Sequence, residues 1–333
     1  MRIGLSYDLK EDLTTVAELP EDAFEEYDSL ETVHALDEAI CAHGHEVVRL
    51  GGGRGFLERV LNARVDFVFN IAEGRGNYRA REAQVPSVLE MLNIPYSGSD
   101  PLTMSVTLEK PLTKELVANA GVVTPRWQLV NTIADMDKIN QIDFPFPVFA
   151  KPAHEGSSKG IRSTSCVATS AALLNLVQQQ INSYSQPVMV EEFIFGDEVT
   201  VGMVGNDPPQ VFGVMKVIPR IPQEHFVYSL DVKRNWRELV SYECPAVLSG
   251  DVTRRLNEAC LRVCEALDVR DLARLDFRIS PDGTPYFLEI NPLPGLNPRS
   301  GDIVLMSGMI GVGYHDLIAT ILDTALRRYG YAP

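Results

Sequence analysis

The sequence lacks the marks of several broad protein classes. It contains no apolar run of about 18 residues, the length that a membrane-spanning helix needs. Its first residues lack the apolar segment of a secretory signal. Lysine and arginine number 30 against 45 aspartates and glutamates, which gives a net charge of −15 at pH 7. Because such a surface repels phosphate backbones, we expect a protein that binds neither membranes nor nucleic acids.

Cysteine is scarce, and its number is odd. Five cysteines are scattered along the chain, at Cys41, Cys166, Cys244, Cys260 and Cys264. This usage predicts free thiols in a reducing cytoplasm and not a disulfide framework. Cys260 and Cys264 lie four residues apart on a predicted helix, but no histidine lies near them, so we expect no zinc site there.

Three motifs of familiar enzyme chemistry are also absent. The sequence has no Walker A loop and no G-x-S-x-G turn of a serine hydrolase. The glycine-rich stretch 51–55 follows a strand but does not have the spacing of a dinucleotide-binding turn.

Short apolar strands and helices alternate in the first third of the sequence. Apolar residues recur at helical spacing from Leu30 to Ile40 and stop at Gly44, and Asp28 with Glu31 resembles a capping box. This alternation predicts a parallel α/β domain over about 1–100. The predicted strands are 2–6, 47–50, 66–71 and 94–96, and the predicted helices are 30–43, 55–62 and 82–92.

An acidic segment, 11–31, interrupts this alternation with nine aspartates and glutamates. One interpretation is a solvated loop or surface helix. The other is a flap that covers a site.

The rest of the chain has a different pattern, with several strands in succession and the hairpin signal Asp282-Gly283. A loop rich in proline and glycine, 292–301, precedes the last helix. The predicted strands are 147–151, 187–194, 198–205, 210–218, 272–279 and 285–290, and the predicted helices are 110–120, 170–182, 251–267 and 314–328.

Two clusters of polar residues lie near strand ends in the middle of the chain. Lys151 precedes the turn 154–160, whose glycines and serines can cradle phosphate; a flexible hairpin is the alternative. No structural partner for the Lys151 ammonium is evident, so its loss is expected to affect the handling of a phosphate-bearing ligand and not stability. Glu191 and Glu198 can accept hydrogen bonds from a ribose or a base amine, while Ile194 packs on a ring. A charged strand edge is the alternative.

The third cluster lies on the predicted hairpin near the C-terminus. Alternation places Arg274 and Asp276 on one face of the first strand, and Glu289 and Asn291 on one face of the second. Two carboxylates and an amide supply the oxygen ligands that Mg²⁺ prefers. Without a cation the carboxylates would repel each other. A salt-bridge network is the alternative.

Together these motifs resemble the D-alanine–D-alanine ligase family, which has the ATP-grasp fold. The resemblance runs from about Val68 to the C-terminus and includes Ile94-Pro95-Tyr96-Ser97-Gly98-Ser99 and the Asn291-x-x-Pro294-Gly295 motif. It implies an α/β (α+β) protein in three parts. These are an N-terminal α/β domain at 1–108, a small ATP-grasp lobe at 109–195, and a large lobe at 196–333 that binds metal and substrate.

The resemblance also implies roles for individual residues. ATP would be contacted by Lys110, Lys151, Glu191, Ile194, Glu198 and Lys233. Two Mg²⁺ ions, with Mn²⁺ as a substitute, would be held by Asp276, Glu289 and Asn291. The catalytic set would be Arg274, Gly295 and Ser157, and the substrate contacts would be Ser300, Glu31, Glu73 and Arg234.

The implied activity is that of an ADP-forming carboxylate–amine ligase. A carboxylate attacks the γ-phosphate of ATP to give an acyl phosphate, and an amine then displaces phosphate. The substrates would be small and amino-acid-like, and we expect a cytoplasmic homodimer.

The sequence departs from the family pattern on the substrate side. Glu73 replaces a histidine before Gly74, Arg234 replaces an aromatic residue, and Arg299 stands where another residue is frequent. We therefore expect D-alanine alone to be a poor substrate and a larger or further charged molecule to satisfy Arg234 or Arg299. The alternatives are a ligase of specialised metabolism, as in mycosporine or dipeptide synthesis, a non-catalytic nucleotide-binding protein, or a kinase.

Overall fold

Three β-sheets, each formed by a different stretch of the described chain, make up the framework of the protein. The computed structural model describes residues 1–12 and 19–331, so part of the acidic segment, 13–18, lies outside the described residues. The first sheet uses residues 2–70, the second 127–192 and the third 197–291. The mixture of helices and sheets agrees with the predicted α+β class.

The first sheet is parallel, as predicted, with strand order β2-β1-β3. Tyr96 joins it only through an isolated bridge to Val68, so the predicted strand at 94–96 is reduced to that contact. The helix α4 was not predicted. The elements of this part are β1 Arg2–Ser6, α1 Leu30–Ala42, β2 Glu46–Arg49, α2 Gly53–Asn62, β3 Phe67–Asn70, α3 Gln84–Met91 and α4 Pro101–Leu108.

The start of α1 differs from the prediction. Ser29 is the N-cap, and its side chain accepts a hydrogen bond from the backbone N–H of Thr32. The capping box proposed for Asp28 and Glu31 is therefore wrong, and the N-cap lies one residue after Asp28. The end of the helix is as predicted, because Gly44 adopts a φ of +87°, which costs glycine little.

The second sheet is antiparallel, with strand order β4-β7-β5-β6. Val148, Ala150 and Val190 of the sheet pack against Leu173 and Val177 of α6. This core holds the end of β5, and therefore Lys151, in place. The elements are α5 Lys110–Asn119, β4 Trp127–Val130, β5 Val148–Pro152, β6 Cys166–Val167, α6 Ser170–Tyr184 and β7 Val188–Glu192.

The third sheet is antiparallel, with strand order β10-β9-β8-β11-β12. The predicted hairpin joins β11 and β12, and Gly283 in its turn has a φ of +80°. The short elements α7, α8, β10 and α10 were not predicted. The elements are β8 Asp197–Val204, β9 Gln210–Pro219, α7 Leu230–Arg234, α8 Trp236–Leu239, β10 Val240–Glu243, α9 Gly250–Ala266, β11 Leu272–Ile279, β12 Pro285–Asn291, α10 Asp302–Met309 and α11 Tyr314–Arg328.

Two helices tie the three parts together. Val117 and Val122, on and just after α5, belong to the hydrophobic core beneath the third sheet and α9. The last helix, α11, packs on α1 and shares a core with the first sheet. The boundaries at 108/109 and 195/196 stay a prediction.

The buried carboxylate of Asp271 strengthens the connection between α11 and the first part of the chain. Asp271 is 1% exposed and accepts hydrogen bonds from Arg328 of α11 at 2.8 Å and from the backbone N–H of Gly98 at 2.8 Å. The side chain of Asn206 donates a third, at 3.0 Å. One side chain thus joins three segments that are distant in sequence.

The composition argues against a membrane-spanning helix, a disulfide framework and a zinc site. No single described helix is long and apolar enough to cross a membrane; only α10 and α11 taken as a pair reach that length, and they are bent by 114°. In the described part of the chain all five cysteines are free, and no cluster of three or more His, Cys, Asp and Glu residues is placed to hold a metal.

We predict that Asp271→Ala lowers the free energy of unfolding by about 3 kcal/mol, because it leaves a guanidinium without its partner. The value lies at the lower end of the range for removing one partner of a buried ion pair, since Arg328 keeps some contact with solvent. Urea unfolding measures it, with Glu258→Ala on the exposed face of α9 as the control. Equal stability of the two variants would contradict this assignment.

Candidate active site

Two adjoining cavities share a wall. Tyr228, Lys233, Glu289 and Asp302 line both of them. The larger cavity has a volume of about 460 Å³, within the usual range of roughly 300–1,000 Å³ for ligand sites. The smaller has a volume of about 80 Å³.

The predicted site residues are brought together at these cavities, with one exception. Glu31 lines neither of the two. The larger cavity is lined by Glu73, Lys110, Ser157, Arg234, Arg274, Asn291, Gly295 and Ser300. The smaller is lined by Lys151, Glu191, Ile194, Glu198 and Asp276. Lys233 and Glu289 belong to the shared wall. The chemical role of each residue stays a prediction.

The register of β11 and β12 places the polar residues of the hairpin side by side. Asp276 pairs with Glu289, and Arg274 pairs with Asn291. Arg274 donates to Asp276 Oδ2 at 3.0 Å and to Asp302 Oδ2 at 3.0 Å. The two carboxylates hold the guanidinium in one orientation at the wall of the larger cavity. Sequence reasoning missed Asp302, because nothing in the local pattern around it points to Arg274.

The two hairpin carboxylates have opposite pKa shifts. Burial raises the pKa of Asp276; Arg274 opposes this and Glu289 adds to it. Burial would also raise the pKa of Glu289, but Lys110, Lys151, Lys233 and Arg274 lower it to about 2. Glu289 is therefore ionised at neutral pH. The surrounding cations make this wall suited to an anion with many oxygens, such as a polyphosphate.

The third hairpin residue that could hold a metal is Asn291. Its amide Nδ2 is buried and has no hydrogen-bond partner among the described residues, so the amide is not locked into an internal bond. Together with Asp276 and Glu289 it offers oxygen ligands of the kind that Mg²⁺ prefers. The donor set therefore fits a hard divalent cation.

A buried ion-pair cluster underlies the smaller cavity. Glu191 lies 2.6 Å from the ammonium of Lys151 and 2.7 Å from that of Lys114. The expectation that Lys151 has no structural partner is therefore wrong. Lys114 was missed, although it follows Lys110 by four residues on α5, a spacing that places both on one helix face.

The cluster shifts the pKa values of its two lysines in opposite directions. Burial lowers the pKa of Lys114 to about 8 even with Glu191 beside it. Burial alone would lower the pKa of Lys151, but Glu191 and Glu289 outweigh it and raise that pKa. Lys151 is thus a permanent cation at the wall of the smaller cavity.

Lys110 reaches the larger cavity from the start of α5. Its ammonium donates to the backbone carbonyl of Glu155 and lies 3.6 Å from Glu289 Oε2. Burial lowers its pKa, and Glu289 partly offsets this. Lys233 approaches from α7, with its ammonium 5.1 Å from the centre of the Tyr228 ring. These cations reach the shared wall from different elements.

One part of the smaller cavity combines apolar walls with the carboxylate of Glu198. Phe149, Ile194 and Leu288 line it, together with Glu198. Arg278, which sequence reasoning missed, donates to Glu198 at 2.9 Å and to the backbone carbonyl of Ile194 at 3.0 Å. A flat apolar ring with polar edges suits this combination.

The glycine- and serine-rich turn has a constrained backbone. Ser157 and Ser158 have φ values of +49° and +59°, a region that costs non-glycine residues free energy and is frequent at functional sites. Arg81, buried and missed by sequence reasoning, donates to the carbonyl of His154 at 3.0 Å and to Glu155 at 3.1 Å. These contacts hold the turn in place, which argues against the flexible-hairpin alternative.

The described part of the acidic segment lies against this turn. Asp22 accepts from the backbone N–H of Gly160 and from the hydroxyl of Tyr184, both at 2.9 Å. Glu26 accepts from Arg81 at 2.9 Å. Asp22 and Glu26 are buried, so the solvated-surface interpretation is wrong for them, and 25–28 line the larger cavity. The arrangement agrees with the flap interpretation.

Two arginines that we expected to meet substrate are already paired. Arg234 lies 2.5 Å from Glu21 and 2.9 Å from Glu25. Arg299 lies 2.5 Å from Glu31, and both of these side chains are exposed. The substrate role predicted for Glu31 and the free charges expected at Arg234 and Arg299 are not supported by these positions.

Glu73, by contrast, lies in the larger cavity beside other carboxylates. Asp28 and Glu82 line the same cavity. Burial raises the pKa of Asp28 and that of Glu82 to about 7 each. Burial and then the charge of Glu82 raise the pKa of Glu73 well above its usual value. At this end of the cavity the neighbouring cations do not offset the cost of burying three carboxylates.

Comparison with known proteins identifies the architecture. A family model described as "D-ala D-ala ligase C-terminus" matches residues 116–323. The chain belongs to the D-alanine–D-alanine ligase family. The D-alanine–D-alanine ligase of Aquifex aeolicus is 31% identical over 273 residues, 82% of this chain and 87% of that protein. The uncharacterised protein y4sG of Sinorhizobium fredii is 35% identical over 297 residues, 86% of this chain and 84% of that protein.

Solved structures share the fold. D-alanine–D-alanine ligase from Bacillus anthracis complexed with ATP aligns with a TM-score of 0.72 and 22% identity, covering 99% of both chains. The VanG D-Ala:D-Ser ligase from Enterococcus faecalis aligns with a TM-score of 0.74 and 21% identity, covering 97% of this chain and 99% of that one. The ATP-grasp fold expected from the motifs is confirmed, and the chain is an ATP-dependent ligase of this family.

We predict that Lys151→Ala weakens ATP binding and also lowers the free energy of unfolding by about 2 kcal/mol. The loss is smaller than for a fully broken buried pair, because Lys114 remains beside Glu191. Urea unfolding and titration with ATP measure the two effects. Lys216→Ala, which removes an exposed pair with Asp197, is the control. Unchanged stability of Lys151→Ala would instead show that the ion pair with Glu191 does not stabilise the fold.

A second prediction concerns pH. Because the pKa of Glu82 is about 7 in the folded protein and near 4.5 when unfolded, the folded state holds more protons between these values. Stability therefore falls as pH rises from 4.5 to 7. Glu82→Gln does not titrate and is expected to be more stable than the original protein at pH 8, by on the order of 1–3 kcal/mol, with little gain at pH 4.5. Melting curves across this range test it, and a difference independent of pH would contradict it.

Proposed function

We propose that the chain is a Mg²⁺-dependent, ADP-forming ligase that joins two amino acids through an acyl phosphate. The observation that carries the proposal is the wall shared by the two cavities. There Glu289, kept ionised, lies among cations, beside Asp276 and an Asn291 amide whose Nδ2 has no hydrogen-bond partner in the described part of the chain. Phosphoryl transfer requires this combination of charge neutralisation and alignment more than covalent help.

The smaller cavity would take the nucleoside. Ile194 and Phe149 would pack on the base, and Glu198, oriented by Arg278, would accept hydrogen bonds from the ribose. Glu191, predicted to contact adenine or ribose, is engaged by two lysines and would act by positioning Lys151. The phosphates would then extend along the shared wall towards Lys151 and Lys110.

Asp276, Glu289 and Asn291 would hold the metal. Mg²⁺ bound there would neutralise charge on the transferring phosphoryl group. Arg274, oriented by Asp276 and Asp302, would donate to the oxygens that gain charge during the reaction.

The larger cavity would hold both amino acids beside the γ-phosphate. Ser157, Gly295 and Ser300 line it and would position the reacting groups. Holding the carboxylate and the amine together replaces an encounter in solution by a reaction within one complex. The segment 25–28 and α7 line this cavity and would help to keep water away from the acyl phosphate.

We also propose the division 1–108, 109–195 and 196–333 for the three parts of the protein, and a cytoplasmic location. The second proposal is supported by the free thiols of the described chain, which fit a reducing compartment.

A non-catalytic nucleotide-binding protein and a kinase are the competing functions. A binding protein would not need Asp276, Glu289 and Arg274 to converge on one wall, because buried charges of this kind are costly without a function. A kinase would leave the phosphate of ATP in a stable product. Release of free phosphate that requires two amino acids separates the ligase from both.

We predict that Glu289→Gln lowers kcat at least about 100-fold, since it removes a charged ligand from the metal site and leaves Lys110 without its partner. ADP formation with ATP, Mg²⁺ and pairs of D- and L-amino acids measures the effect. A melting curve shows whether the fold is retained, and Glu258→Gln on α9 serves as the control. Turnover near that of the original protein at saturating Mg²⁺ would contradict the assignment.

A further inference from the structure

We propose that one of the two substrates is a diamino acid, whose second ammonium group binds where Asp28, Glu73 and Glu82 line the larger cavity. We refer to these three residues as the carboxylate end of the cavity. The inference rests on the proposed ligase function and specifies its substrate class. It replaces the expectation that extra charge on the substrate would be negative and would bind Arg234 or Arg299.

Three of the cations around the carboxylate end already have partners. Arg81 lies 2.9 Å from Glu26 and 3.1 Å from Glu155, and Lys159 lies 3.1 Å from Glu26. Arg75 lies 2.7 Å from Asp8. These three cations therefore do not neutralise the carboxylate end. Lys10 lines the same cavity but forms no ion pair with Asp28, Glu73 or Glu82 among the described residues.

The carboxylates of the carboxylate end have no such partners within the described ranges 1–12 and 19–331. Glu82 is only 7% exposed, yet no described side chain forms an ion pair or a hydrogen bond with it. Glu73 likewise has only charge interactions with its neighbours. Asp28 has the hydroxyl of Thr32 and no described cation in contact.

An unpaired carboxylate in such a place is unfavourable, so the protein without ligand keeps it partly protonated. The raised pKa values of all three groups agree with this description. A bound cation would release those protons and restore the ionised forms. The carboxylate end is thus a place where positive charge on a ligand is stabilising.

The number of carboxylates indicates how much positive charge is expected on the bound substrate. The α-ammonium group that every amino acid carries can neutralise one of them. Two more remain, and a neutral side chain such as that of alanine offers them nothing. A side chain that ends in a second ammonium group would neutralise another, and a cavity of about 460 Å³ gives it room.

Matched pairs of amino acids test the inference on the intact protein. Ornithine and norleucine have side chains of equal length that differ in a terminal ammonium or methyl group, and 2,4-diaminobutyrate and norvaline form a second such pair. Each is supplied in D and L form, alone and with alanine, together with ATP and Mg²⁺. We expect kcat/KM, from ADP formation, to be at least about 10-fold higher for one diamino acid than for its match, as one well-placed charge contact of ~1.4 kcal/mol would give.

Two variants locate the effect. Glu73→Gln and Glu82→Gln are each expected to reduce the ornithine-to-norleucine ratio several-fold, whereas Glu58→Gln, on the exposed face of α2, leaves it unchanged. Melting temperatures with a non-hydrolysable ATP analogue provide a readout without turnover. Ornithine should raise the melting temperature more than norleucine does, and Glu82→Gln should remove the difference.

The outcomes separate the inference from the function on which it rests. ADP formation that is as efficient with norleucine or alanine as with any diamino acid would overturn the inference and leave the ligase function standing. A preference for diamino acids that survives both variants would also overturn the placement at the carboxylate end. No amino-acid-dependent ADP formation with any pair would overturn the proposed function and the inference together.

Discussion

The neutralisation of buried charge at the wall between the two cavities is the interaction on which the rest of the site depends. Glu191 lies buried between Lys114 and Lys151, and Glu289 is kept ionised by lysines from other elements. Removing either member of such a pair leaves an uncompensated charge, which costs far more than a lost surface contact. The cluster therefore fixes Lys151 and Glu289 in position before any ligand binds.

The fold brings the charged residues of this wall together from separate parts of the chain. Glu191 lies on β7 of the second sheet, Lys114 on α5, and Glu289 on β12 of the third sheet. Because α5 also packs into the core beneath the third sheet, the lysines of α5 hold a fixed position relative to the hairpin. On the far side, Arg81 and the buried glutamates hold the serine turn against the acidic segment.

Local patterns predicted much of this site, and contacts between distant residues account for what they missed. Alternation placed Arg274 with Asp276 and Glu289 with Asn291, and the predicted hairpin brought the two pairs together, as the register of β11 and β12 shows. No local rule connects Arg274 with Asp302 or Arg81 with Glu26, which lie 28 and 55 residues apart. Arg234 and Arg299 were expected to be free because the sequence does not show that Glu21, Glu25 and Glu31 reach them.

The central claim is that a substrate carboxylate attacks the γ-phosphate of ATP at this wall. The most direct test supplies an amino acid in which both carboxylate oxygens are ¹⁸O, together with ATP, Mg²⁺ and an amine partner, and measures the mass of the released phosphate. Attack by the carboxylate leaves one of its oxygens in the phosphate, so the account predicts one ¹⁸O atom in each phosphate released. Phosphate without the label would show that water or another group accepts the phosphoryl group, and would contradict the account.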